Sequence, residues 1–181
     1  WDHLQGLTIS KILGTPTQRR RALAREADIY IINRENVVWL CDELSQVGDG
    51  WMFDAVVIDE LSSFKSPKAQ RFRALRKYIS RSSRVIGLTG TPAPNGLIDL
   101  WSQIYLLDGG ERLGKTISGY RERYFTPNQR NQTTIFNYKP KPEAEDSINQ
   151  KISDICISMK AEDWLELPER IDSVQTVTLS P

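Results

Sequence analysis

Through the first 110 residues, short apolar runs alternate with longer stretches in which apolar positions recur every three or four residues. Residues 7–13, 28–33 (DIYIIN), 51–59 (WMFDAVVID) and 84–89 (RVIGLT) read as strands. Residues 16–27, 35–47, 66–80 and 96–107 carry helical spacing. Thr15 before Pro16 and Ser66 before Pro67 fit a capping residue followed by proline in the first turn, and Asn95 stands as cap of the fourth helix. Short β-rich runs separated by helices predict an α/β fold on a parallel sheet covered on both faces. Ligands of such sheets bind beyond the carboxyl ends of the strands, so chemistry is expected just after Ile58 and Leu88.

The rest of the chain is less regular. Residues 109–114 form a turn-rich loop and 117–125 a short helix. Residues 126–142 are a polar stretch with few apolar anchors, 143–157 read as helical, and 171–179 alternate like a strand. No internal repeat or low-complexity tract is visible.

Composition narrows the class. The 181 residues are 39% hydrophobic and 26% charged, enough for one domain with a real core. No apolar run approaches the roughly 18 residues of a membrane span, and no signal peptide pattern opens the chain. Cys41 and Cys156 are too few and too far apart for a disulfide framework or a zinc site. A cytoplasmic location is expected. The net charge of +1 is uneven: residues 61–98 contain no Asp or Glu and carry +8, leaving −7 elsewhere. Arg71, Arg73, Arg76 and Lys77 lie in that segment. A basic face suits nucleic-acid phosphates, and a solvated helix surface would look the same.

Two short stretches carry candidate chemistry. Val56-Val57-Ile58-Asp59-Glu60 places two carboxylates directly after a buried strand. In nucleotide hydrolases the first such acid holds Mg²⁺, usually through water, and the second can act as general base toward the attacking water. Some thirty residues on, Leu88-Thr89-Gly90-Thr91-Pro92-Ala93-Pro94-Asn95 follows another strand. Its two hydroxyls can hydrogen-bond the acidic pair, while Pro92 stiffens the turn. Each stretch alone is compatible with an ordinary strand end or turn.

Taken together they carry a resemblance. Residues 59–66, DELSSFKS, resemble motif II of Swi/Snf-type superfamily-two helicase ATPases, and residues 88–95 resemble their motif III. Asp99-Leu100-Trp101, Leu113-Gly114, Tyr120-Arg121-Glu122-Arg123-Tyr124-Phe125 and Leu167-Pro168 are similar to later family signatures in the same order. Glu35 resembles a weakly patterned motif between DNA-contacting segments, and is equally a helix-start acid favoured by the helix dipole.

The resemblance implies the later part of a first RecA-like lobe, three-layered, over residues 1–108. Residues 109–181 would be a partly helical extension toward a second lobe. It implies Asp59 as the Mg²⁺ residue, Glu60 as catalytic base, and Ser62, Lys65, Thr89, Gly90, Thr91 and Asn95 as the coupling set. Leu61 stands where the family has a small residue, and Ser62 replaces its His, with a hydroxyl still able to bond motif III. The implied cofactors of the parent protein are Mg²⁺ and ATP. The implied partners are duplex DNA, an upstream part of the lobe that carries the phosphate loop, and a second lobe. The chain opens on Trp1 rather than Met and closes on Pro181, so an excerpt, inactive alone, is expected.

Gly109-Gly110-Glu111-Arg112-Leu113-Gly114-Lys115-Thr116 fits the phosphate-loop pattern letter for letter. It follows a helical rather than a strand pattern, so a connector is expected. A kinase using this loop, and a non-catalytic module keeping the fold, stand as alternatives. His3 has no partner motif; Trp39, Trp51, Trp101 and Trp164 read as core; Arg19-Arg20-Arg21 suit either a phosphate backbone or water.

Overall fold

The computed structural model describes residues 5–46, 50–130 and 135–159. His3, Trp164, Leu167, Pro168 and the strand expected over 171–179 lie outside them. Strand β1 (Ile9–Ile12) pairs in parallel with β2 (Ile29–Ile32), and β3 (Ala55–Asp59) pairs in parallel with β4 (Arg84–Leu88). Helix α1 (Pro16–Ala24) connects the first pair, and α2 (Val37–Ser45) leads from β2 toward β3. Helix α3 (Gln70–Leu75) lies between β3 and β4; α4 (Leu100–Asp108) and α5 (Ile117–Tyr124) follow. A hairpin, β5 (Phe125–Arg130) with β6 (Ile135–Pro140), precedes α6 (Ala144–Ile152).

Alternation along the strands decides which face meets the helices. Ser10 and Ile12 of β1 and Ile58 of β3 are buried, and they join Leu40, Phe72, Trp101 and other helix residues in the interior. The alternate positions Ile9, Ile29, Ile31, Val57, Ile86 and Leu88 are exposed. Within the described residues the helices therefore cover one face, and the other face stays apolar and bare.

Helix α1 starts as expected, with a reciprocal capping box in which Thr15 N–H donates to Gln18 Oε1 and Gln18 N–H donates to Thr15 Oγ1. Its arginines are not simply solvated. Arg20 forms a two-bond ion pair with Glu43 of α2, and Arg19 lies 4.3 Å over the Trp39 ring while donating to Asn36. Two of the three arginines thus hold α1 to α2.

Several expected elements come out differently. The helix expected over 66–80 reduces to α3, preceded by a turn closed by Ala69 N–H to Ser66 C=O, so Ser66 and Pro67 lie outside it. Its sequence carries positive charge at Arg73 and Lys77, one turn apart, with no acid to compensate. Beyond α3 the chain tightens to a 3₁₀ turn over Ile79–Arg81. The fourth helix starts at Leu100 after a 3₁₀ turn over Leu97–Asp99, and Asn95 supplies no side-chain cap. Strand β3 is four residues shorter than expected at its start because Trp51 and Phe53 pack edge-on against each other, with Trp51 stacked on Tyr78. The polar stretch 126–142 holds most of the β5–β6 hairpin, closed by backbone pairing and by Arg121 lying 5.0 Å over the Tyr138 ring. Helix α6 ends at Ile152.

Leu61, the departure noted after Asp59-Glu60, is buried against Gly87 of β4. A Cβ at position 87 would overlap Leu61 Cδ2 and lie 3.3 Å from Leu107 Cδ2. Gly87→Ala should therefore destabilise the protein by about 1–3 kcal/mol through overpacking. Leu61→Ala should cost about 2–5 kcal/mol. The double variant should lose clearly less than the sum of the two in denaturant unfolding. Strict additivity would mean that the two residues do not share this space.

Candidate active site

Parallel pairing of β3 with β4 aligns Asp59 with Leu88, which sets Glu60 beside Thr89 just past the strand ends. The two stretches singled out in the sequence are thereby brought together. Thr89 Oγ1 donates to Glu60 Oε1 at 3.1 Å, and Ser62 Oγ donates to the same oxygen. Glu60 N–H donates to Asp59 Oδ1 at 3.0 Å. Glu60 has φ 54° and ψ 60°, a left-handed conformation uncommon for a residue with a side chain. That turn starts a 3₁₀ segment, Leu61–Phe64, whose Leu61 and Phe64 are buried. Anchoring the segment in the core thus projects the Glu60 carboxylate outward.

Of the other expected site residues, Thr91 enters through its backbone, its N–H donating to Thr89 Oγ1 at 3.3 Å. Ser62 does not reach the loop after β4 as expected, because two residues along a tight turn place its hydroxyl on Glu60 instead. Lys65 contributes its carbonyl, which accepts from Ser102 Oγ of α4. Asn95 contributes its N–H, donating to Asp99 Oδ2 at 3.0 Å. Gly90 is exposed between the two threonines, with open space where a side chain would stand. Arg73, Arg76 and Lys77 are exposed on or beside α3; Arg71 is partly covered, and Arg76 lies 5.9 Å from the Phe72 ring and 6.0 Å from that of Tyr105. Glu35 lies exposed in the 3₁₀ turn after β2.

Electrostatics favour an ionised Glu60. The Ser62 and Thr89 hydroxyls, and the more distant charge of Arg34, hold its carboxyl below the usual range. Arg34 also belongs to a groove of about 890 Å³ between β2 and β3, lined by residues 29–33 of one strand and 55–59 of the other and reaching Glu60. Neither the role of this arginine nor the groove is legible in the sequence, since both depend on how the two strand pairs are placed. Among the described residues no three His, Cys, Asp or Glu side chains gather into a metal cage. A single strand-end carboxylate of the hard oxygen type, Asp59, suits a Mg²⁺ ion that keeps most of its water and takes other oxygens from phosphates.

The phosphate-loop look-alike is built differently. It joins α4 to α5, and Thr116 caps α5 through Gly119 N–H. Gly110 N–H and Arg112 N–H donate to the Asp108 carboxylate at 2.7 and 2.9 Å, and Lys115 Nζ donates to Gly109 C=O. Two of the amides and the lysine that a phosphate would need are thus already bonded, to Asp108 at the end of α4 and to Gly109.

The clamp on Glu60 makes a titration prediction. A depressed carboxyl midpoint means the ionised form is favoured in the folded protein, and the clamp is lost as pH falls through that midpoint. Ser62→Ala should raise the Glu60 midpoint toward the ordinary value of about 4.3, and Thr89→Val should raise it by less. Carboxyl-carbon NMR titration measures both; an unmoved midpoint in Ser62→Ala would contradict the arrangement.

A family model described as the SNF2-related domain matches residues 1–180. The chain is 37% identical over 185 residues to "Putative protein p41" of Acyrthosiphon pisum secondary endosymbiont phage 1, covering 99% of this chain and 40% of that protein. It is 30% identical over 123 residues to "Helicase SWR1" of Saccharomyces cerevisiae, covering 65% of this chain and 8% of that protein. The chain thus spans less than half the length of these relatives. The fold is similar to the Sulfolobus solfataricus SWI2/SNF2 ATPase core in complex with dsDNA. That match has a TM-score of 0.60 at 22% identity and covers 83% of this chain and 28% of that one. From motif order, strand pairing and a match along its whole length, the chain belongs to the SNF2-related domain family.

Proposed function

We propose that this chain is part of a nucleic-acid-stimulated, Mg-ATP-hydrolysing motor that acts on duplex DNA and that it is inactive by itself. The observation that carries the reading is the hydrogen bond from Thr89 to Glu60, which ties the loop after β4 to the acid after β3. In this reading Asp59 holds Mg²⁺ through water, and the bound ion supplies charge neutralisation at the β- and γ-phosphate oxygens. Glu60 orients the attacking water and accepts its proton. With Oε1 engaged by Ser62 and Thr89, Oε2 is the oxygen left to receive it. Thr89, with Gly90, Thr91 and Asn95, links nucleotide state to DNA binding; Ser62 and Lys65 complete the coupling set.

The DNA assignment is supported by the acid-free segment and by the duplex in the Sulfolobus solfataricus core. Arg71, Arg73, Arg76 and Lys77 are the candidate phosphate contacts. Residues 1–108 are assigned to the first lobe and 109–181 to the extension toward a second lobe. The bare apolar face and the groove between β2 and β3 support a lobe completed by a further segment of the same polypeptide. The phosphate-binding loop belongs to that segment, since the amides of residues 110 and 112 already serve Asp108.

The test uses the full-length protein. Glu60→Gln keeps shape but removes the proton acceptor, so turnover should fall about 10²–10⁴-fold while ATP binding persists. Lys115→Ala should leave both unchanged. Unaltered turnover in Glu60→Gln, or abolished ATP binding in Lys115→Ala, would overturn the assignment.

A further inference from the structure

Only four polar residues are buried among the described residues, and three of them, Asp99, Ser102 and Gln103, fall within five positions at the start of α4. None packs as a spectator. Ser102 Oγ donates to the Lys65 carbonyl in the segment after β3. Gln103 Nε2 donates to the Pro92 carbonyl in the loop after β4, and also to Asp99 C=O at 2.9 Å. Asp99 Oδ2 accepts from Asn95 N–H at 3.0 Å in that same loop. Gln103 is 1% exposed, yet its Oε1 has no partner. An aliphatic side chain would fill this space without desolvating an amide that is only half satisfied. The contribution of the amide is therefore positional.

We propose that Ser102 and Gln103 are positioning residues that fasten the loop after β3 and the loop after β4 to adjacent points of one rigid helix. Helix α4 itself is held in place, since Trp101 is 2% exposed and its Nε1 donates to Gly114 C=O at 2.9 Å. Two loops anchored one residue apart on such a helix cannot shift independently. Movement of residues 89–95 is passed to the 60–65 segment through α4 as well as through the Thr89–Glu60 bond. This rests on the reading of Asp59 and Glu60 as the ATP site. Neither Ser102 nor Gln103 contacts the reacting atoms in that reading; each acts through the backbone it holds.

The experiment compares full-length wild type with Gln103→Met, which keeps length and apolar volume but loses the amide, and with Ser102→Ala. Amide hydrogen exchange at Asn95 and Gly96 should accelerate at least about tenfold in Gln103→Met while the β4 amides keep their protection. In the presence of duplex DNA, kcat per folded molecule should fall about 10- to 100-fold in each variant, with KM for ATP unchanged. Equal acceleration in the loop and β4, unchanged exchange at Asn95 and Gly96, or wild-type kcat per folded molecule would overturn the proposal. If wild type hydrolyses no ATP, the functional reading falls by itself, and loop exchange still decides whether Gln103 holds the loop.

Discussion

The parallel register of β3 and β4 is the constraint on which the site depends. Asp59 lies opposite Leu88, and each strand ends at that pair. A shift of one residue would carry Thr89 away from Glu60 and turn Ile58, one of the buried core residues, toward the bare face. Burial therefore fixes the register, and the register places the hydroxyl against the carboxylate. The left-handed turn at Glu60 adds local cost, and the surroundings offset it: two hydroxyls on Oε1, and Leu61 and Phe64 locked into the interior just beyond. Gly87 belongs to the same construction, because its missing Cβ is what lets Leu61 sit down on β4.

The two strand pairs stand apart along the groove, and their outer face carries exposed isoleucine, valine and leucine side chains. A parallel sheet normally buries both faces and pairs its inner edges. The helical side alone is assembled as in a complete domain: Phe72, Trp101 and Tyr105 share one aromatic cluster, and α1 is tied to α2 by Arg19 and Arg20. Thus the face that supports the two motif loops is well packed, whereas the face away from them is the open one. The geometry of the acidic pair is consequently supported from below, by α4 and the core.

Sequence was most informative where chemistry and burial coincide. The strands expected over 51–59 and 84–89 are legible because each is a short β-rich apolar run between helical patterns, and the structure ends them at Asp59 and Leu88. Thr15 and Pro16 announced α1 for a local reason, the capping box. Other features depend on contacts that no local pattern encodes. The antiparallel pair β5–β6 rests on backbone pairing, so the polar character of the stretch disguises it. The partner of Ser62 follows from a turn whose handedness is set by distant core contacts. Asp99 stands out in the sequence only through the Asp99-Leu100-Trp101 signature, and nothing marks Ser102 or Gln103, since a sequence cannot distinguish a polar residue facing water from one facing a buried carbonyl. Arg19 and Arg20, whose sequence suits a phosphate backbone or water, instead tie α1 to α2, Arg20 doing so from the exposed surface.

In the proposed function Asp59 and Glu60 form the hydrolytic site of an ATP-driven motor that duplex DNA stimulates. ATP turnover by the full-length protein, measured with and without duplex DNA for wild type and Asp59→Ala, tests it most directly. Turnover should rise on adding duplex DNA and disappear in Asp59→Ala at any DNA concentration. Turnover indifferent to DNA and surviving in Asp59→Ala would contradict it.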